Sequence, residues 1–153
     1  MNMPDIRQLV PHSGQMVLLD RAVEADAEHL CAEVRIHEAS ILAGADGVGS
    51  WVGIEYMAQA IAAHAGWLAL QRGEEVKVGF LLGSRKYEAK VPNFALGSVL
   101  RVHVRRVLQS ENGLGAFECR IDIVGGQANA AAATVTVFQP DNVNQFLKDG
   151  NVG

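Results

Sequence analysis

Glu55 is the residue whose setting makes it a candidate for chemistry. It is the only Asp, Glu, Lys or Arg between Asp46 and Arg72, in the most apolar part of the chain. A carboxylate buried without a partner is pushed toward its neutral form. A helix N-terminus pulls the other way, toward the anion. A carboxylate held between these effects is suited to giving or taking a proton. The plain alternative is a Glu paired with an Arg or exposed at an interface. Gln59, one turn later, is in reach of that carboxylate or of a ligand, or else is a satisfied core amide. His37 follows a strand pattern and precedes the loop leading to Glu55; it is open to an active-site role or to the surface role of most loop histidines. Backbone amides near Ser50 and Trp51 could polarise a carbonyl oxygen.

These residues need a frame. Ser50 to Arg72 lacks Pro and is rich in Ala, Met and Leu. That predicts a helix capped by Ser50 and ended by Gly73. The segment is apolar nearly all round, so it belongs in a buried position. At about 100° per residue, Glu55 shares a face with Trp51, Ala58, Gln59, Ala62, Gly66 and Ala69. Met57, Ala60, Ile61, His64 and Leu68 lie opposite. The bulky side then packs on a sheet, while the small side admits a close neighbour: a helix, a strand or a thin ligand. His64 is on the wrong face to meet Glu55 in the same chain and reads as a core or interface histidine. His12 sits in a turn, and His29 and His103 in ordinary strand or turn positions.

Six stretches read as strands: 17–23, 29–36, 76–89, 99–108, 116–124 and 132–138. Leu100, Val102 and Val104 oppose Arg101, His103 and Arg105; Phe117, Cys119, Ile121 and Ile123 oppose Glu118, Arg120 and Asp122. This period-2 pattern belongs to antiparallel strands with one buried face. Turn signals stand at Asn93, at Glu111-Asn112-Gly113 and at Gly125-Gly126. One long buried helix with six antiparallel strands is the α+β hotdog arrangement, a sheet wrapped around a helix. Residues 1–140 form a single domain on this reading, and 141–153 a loose polar tail.

Composition removes several classes of function. With 153 residues, 49% hydrophobic and 20% charged, the chain is one globular domain with a real core. A net charge of −4 speaks against wrapping nucleic acid or a bilayer surface by charge. No apolar run reaches the roughly 18–20 residues of a membrane span. Pro4, Asp5 and Arg7 stand where a signal peptide needs an apolar core, which points to the cytoplasm. Cys31 and Cys119 lie within alternating apolar patterns and read as buried free thiols, with no disulfide and no metal site. The Gly-rich segment 43–49 lacks the Lys of a phosphate-binding loop. Arg85, Lys86, Arg101, Arg105 and Arg106 read as a solvated face, or, clustered at a tunnel mouth, as contacts for an acidic carrier protein or the phosphate of its prosthetic arm.

Three motifs occur in an order that resembles a known family. Residues 9–21, LVPHSGQMVLLDR, are similar to the LPHR-x-P-x-LLLDR opening of bacterial (3R)-hydroxyacyl-ACP dehydratases of the FabA/FabZ type. Residues 54–59, IEYMAQ, resemble that family's VEAMAQ helix. Residues 79–100, GFLLGSRKYEAKVPNFALGSVL, resemble its strand stretch after the helix. The likeness covers about residues 5–139 and is strongest to a divergent FabZ-like branch with relatives in aryl-polyene-type lipid pathways.

The resemblance implies a hotdog dimer that removes water from a 3-hydroxyacyl thioester of fatty-acid or polyene-type lipid synthesis. The substrate rides on the phosphopantetheine of acyl carrier protein or CoA, so the protein needs no cofactor or metal of its own. Glu55 matches the catalytic carboxylate and Gln59 the residue supporting it. The backbone near Ser50 takes the place of the amide that polarises the thioester, with Trp51, Ala58 and Ala62 lining the substrate side. The family's catalytic His stands fourteen residues before its Glu; here that position is Ile41. Either His37 reaches the site through a shifted loop, or a second hotdog subunit supplies the His, or Glu55 does other chemistry. The alternatives in function are an acyl thioesterase using Glu55 and a non-catalytic subunit of a hetero-oligomeric dehydratase.

Overall fold

Alternation along the strands decides what faces inward. In this computed structural model, which describes residues 3–74 and 80–138, the elements in chain order are α1 (Ile6–Leu9), β1 (Arg21–Ala25), β2 (His29–Arg35), β3 (Ala43–Gly44), β4 (Gly47–Gly49), α2 (Gly53–Gln71), β5 (Phe80–Ala89), β6 (Asn93–Phe94), β7 (Val99–Gln109), β8 (Leu114–Ile123) and β9 (Ala131–Phe138). Single 3-10 turns stand at Gly14–Met16 and Ser50–Val52. Six strands form one antiparallel sheet in the order β1-β2-β7-β8-β9-β5.

Its inner face is apolar. Leu30, Ala32 and Val34 of β2, Leu100, Val102 and Val104 of β7, Phe117, Cys119 and Ile121 of β8 and Ala131, Ala133 and Val135 of β9 are all buried. Met57, Ala60, Ile61 and Ala63 of α2 join them in one core. Each large side chain so buried contributes about 1.5–3 kcal/mol. This is the hotdog arrangement, and Met57, Ala60, Ile61 and His64 are on its buried side as the helix wheel requires. Among the described residues no helix is long and apolar enough to cross a membrane.

The small side of α2 is partly covered by the N-terminal segment. α1 packs on it, and Gly66 is where the two approach: a Cβ there would overlap the Leu9 carbonyl. The Gln59 amide holds the next stretch, accepting from the Leu18 N–H at 2.9 Å and donating to the Met16 carbonyl at 2.7 Å. These bonds explain why the strand expected at 17–23 begins only at Arg21. Gly14, at φ +59, turns the chain into its 3-10 turn, and the backbone of 16–18 bonds to a side chain instead of a strand.

Other expectations change as well. Ser50 makes no side-chain cap and stands in a 3-10 turn ahead of α2; the preceding chain is already held, the Ser50 N–H donating to Pro92 O at 3.0 Å. The Gly-rich stretch 43–49 is the hairpin β3–β4, and Asn93 belongs to β6, which pairs with β4 in a second, three-stranded sheet. Gly47, at φ +102, lies so close to Phe94 O that only glycine fits. Gly73 does end α2: it has φ +68, and the Gly73 and Glu74 amides donate back to Leu70 O and Ala69 O, closing the last turn. Residues 76–79 of the expected strand and the expected tail at 141–153 lie outside the described residues.

On the outer face Glu33 is buried, yet satisfied. Arg21 and Arg101 approach its Oε2 at 2.9 and 3.2 Å, and Arg35 its Oε1 at 3.4 Å. The hydrogen bond from Arg21 holds this carboxyl below its usual pKa. Both cysteines are free and buried, and burial pushes Cys31 up to about 11 and Cys119 to about 12. Neutral thiols of this kind are poor nucleophiles.

Gly66→Ala should lower stability by about 1–3 kcal/mol, the usual penalty for overpacking, read as a reduced urea midpoint at constant m-value. An unchanged midpoint would show that α1 is not seated on Gly66.

Candidate functional site

Glu55 lies in the first turn of α2 and is exposed. The expectation of a buried carboxylate is therefore corrected for the single chain. Its side chain has no hydrogen bond or ion pair among the described residues. The same face carries Trp51, 65% exposed, and half-buried Ala58, Ala62 and Ala65. A stripe of half-buried alanines with an unpaired carboxylate at one end and an open indole beside it is thus left partly open among the described residues.

The helix entrance is held rigidly. The Tyr87 hydroxyl of β5 donates to the Ser50 carbonyl and sits against Gly53, where a side chain would displace it. The Gly53 N–H also donates to Ser50 O. A helix start leaves its first amides without intrahelical acceptors, but the Ser50 amide is spent on Pro92. The Gly53 amide is spent too, so a backbone amide that polarises a carbonyl here is that of Trp51.

The other sequence candidates separate. Gln59 is buried, with its amide bonded to residues 16 and 18 and not to Glu55, and so it positions the N-terminal segment. His37 is exposed, with its amide donating to Ser40 Oγ and its Nδ1 accepting from the Ala39 N–H. No hydrogen bond joins it to Glu55; it lines a cavity with Tyr56, Asp20, Arg7 and Arg35. His64 is a core residue, its Nε2 2.9 Å from Asp26 O and its ring edge-on to Phe117. Of the basic residues with described side chains, Arg101 is held by Glu33, Arg106 donates to Ala27 O, and Lys86 and Arg105 line an outer-face groove.

Cavities of about 410, 370 and 270 Å³ open on the described residues, and Glu55 is not in the wall of these three. Sequence reasoning passed over Tyr56 and Tyr87. Burial pushes both hydroxyls up to about 12. The signal that could have found Tyr87 is its place in the strand motif after the helix, opposite the glycine of α2 that must receive it. Among the described residues no group of His, Cys, Asp and Glu is arranged to hold a metal ion.

Comparison with known proteins adds the following. The ApeP-like family model, described as ApeP dehydratase, matches residues 4–148. The structure is similar to a chain of the dehydratase heterocomplex ApeI:P from Xenorhabdus doucetiae, with a TM-score of 0.87 and 30% identity over 98% of this chain and 99% of that one. A hypothetical thioesterase with coenzyme A from Streptococcus pneumoniae gives a TM-score of 0.61 at 16% identity, over 78% of this chain and 84% of that one. The PaaI protein of the Escherichia coli phenylacetic acid degradation operon gives 0.60 at 14%, over 76% and 80%. The last two show the fold alone. A search of curated proteins gave no match.

Burial holds His64 below the usual imidazole pKa, partly offset by its bond to Asp26 O. His103 is shifted the same way, again first by burial. A histidine whose folded pKa is depressed contributes its full stability above the unfolded value, about 6.5. That contribution falls away as pH drops below it, because the unfolded chain takes up the proton first. The urea midpoint should therefore decline from pH 7 to pH 5, and His64→Gln should flatten the decline. An unchanged pH slope in that variant would remove His64 as a cause.

Proposed function

This chain belongs to the ApeP-like dehydratase family, and we propose that it takes part in removing water from a 3-hydroxyacyl thioester to give the enoyl thioester. The substrate is carried by acyl carrier protein or CoA, in cytoplasmic fatty-acid or polyene-type lipid synthesis, with no cofactor or metal of the protein's own. The observation that carries the reading is the family match over nearly the whole chain; the FabA/FabZ resemblance supports it by setting the exposed, unpaired carboxylate of Glu55 at the catalytic Glu position.

The elimination breaks the C2–H and C3–O bonds. One group accepts the C2 proton, and one protonates the departing hydroxyl so that it leaves as water. Glu55 fills one of these roles. The Trp51 amide, in the turn ahead of α2, receives the thioester oxygen as charge builds there. Ala58 and Ala62 leave room for the acyl chain along the helix. The second group is an imidazole from another hotdog subunit seated on the Trp51–Glu55 face. The absence of a His at position 41 and the placing of His37 beside Tyr56 support this assignment. So does the likeness to a 30% identical chain of a dehydratase heterocomplex. Covering that face would also withdraw Glu55 from water and raise its proton affinity.

The test is turnover of a 3-hydroxyacyl thioester by the protein with its co-purifying partner, following enoyl absorbance and free thiol together. Enoyl product is expected, with a loss of about 10²-fold or more in Glu55→Gln, typical for removal of a general acid or base. Thiol release without enoyl product would replace this reading with a thioesterase. Full activity in Glu55→Gln would remove Glu55 from the chemistry.

A further inference from the structure

We propose that the cavity beside the Tyr56 ring is a binding site for a small oxyanion, a carboxylate or a phosphate group. It is about 270 Å³, lies between the N-terminal segment and the loop after β2, and includes Arg7, Asp20, Arg35, His37, Ser40 and Tyr56 in its wall. This site is separate from Glu55, which is not part of that wall, and it does not depend on the dehydratase reading.

Tyr56 is the first observation. Only 3% of it is exposed, its ring packs near Phe94, and its hydroxyl has no hydrogen-bond partner among the described residues. The hydroxyl is not among the fully buried polar atoms, so it opens on the cavity and can donate to an oxygen placed there.

His37 is the second. Its Nδ1 accepts the Ala39 N–H at 3.2 Å, so the neutral ring carries its proton on Nε2 and presents a donor.

Charge is the third. Glu33 is one carboxylate shared by three guanidinium groups, and Arg35 has the longest contact of the three, 3.4 Å. Arg35 meets Glu33 through Nε and keeps its remaining N–H groups as donors. Arg7 gives one N–H to Gly14 O at 3.1 Å and keeps its other donors. Against these two cations stands Asp20, whose carboxylate accepts the Arg35 backbone N–H at 2.6 Å. The wall carries a net charge of about +1, with donors from Tyr56, His37 and Arg7. That matches a single anionic group with several acceptor lone pairs. The volume lies just under the range of drug-sized pockets, about 300–1,000 Å³, so the ligand is small.

The experiment is an amide chemical-shift titration of the full-length chain, in the assembly in which it purifies. The probes are inorganic phosphate and, separately, acetate, with sodium chloride matching the ionic strength. Saturable shifts at Arg35, His37 and Tyr56 with either probe support the site, and which probe saturates at lower concentration assigns phosphate or carboxylate. Tyr56→Phe should weaken binding about fivefold, and Arg7→Gln about tenfold. Arg7 is exposed, so that variant stays informative if Tyr56→Phe misfolds. Shifts reproduced by chloride, or binding unchanged in Arg7→Gln, would overturn the proposal.

Discussion

Burial of α2 is the constraint on which the rest of the structure depends. A 19-residue helix with one charged side chain cannot stand in water. The six-stranded sheet takes the bulky side, where Met57, Ala60 and Ile61 meet the inner residues of β2, β7 and β8. The N-terminal segment takes part of the small side, seated on Gly66 and tied through the Gln59 amide. Among the described residues, these two leave partly open the stripe of Trp51, Glu55, Ala58, Ala62 and Ala65. The exposed carboxylate is therefore a consequence of how the helix is packed.

Two carboxylates show what that packing does to charge. Glu33 is withdrawn from water and answered by three arginines, so its charge is retained and its role is to hold β1, β2 and β7 together on the outer face. Glu55 is left in water and answered by nothing among the described residues. The proposed function relies on the second arrangement: a neighbouring chain that excludes solvent there would leave a carboxylate without a cation, and desolvation of that kind favours the protonated form. The bond from Tyr87 to Ser50 and the close fit of Gly53 keep the helix entrance rigid for that event.

The strands with one apolar face were legible in the sequence because side-chain period alone specifies them: Leu100, Val102 and Val104 point inward as alternation requires. The long helix and its stop at Gly73 were legible for the same local reasons. Local patterns say nothing of contacts across about forty residues. The Gln59 bonds to Met16 and Leu18 end the early strand before it begins, and the pairing of Val48 with Phe94 builds the second sheet. The position of Glu55 on the wheel was legible, but its burial was not, because the wheel does not say which side of an apolar helix the rest of the chain leaves bare. The separation of His37 from Glu55 likewise follows from the path of the loop after β2.

Trp51 reports directly on whether a second subunit completes the site. In a Trp67→Phe background Trp51 is the remaining tryptophan, and its 65% exposure makes it open to acrylamide quenching in the isolated chain. The quenching constant should be measured for the chain alone and saturated with a His-bearing hotdog partner. The account predicts that assembly sharply reduces quenching and shifts the emission to the blue, as the Trp51–Glu55 face is covered. A stable complex in which Trp51 stays as accessible as in the isolated chain would contradict it.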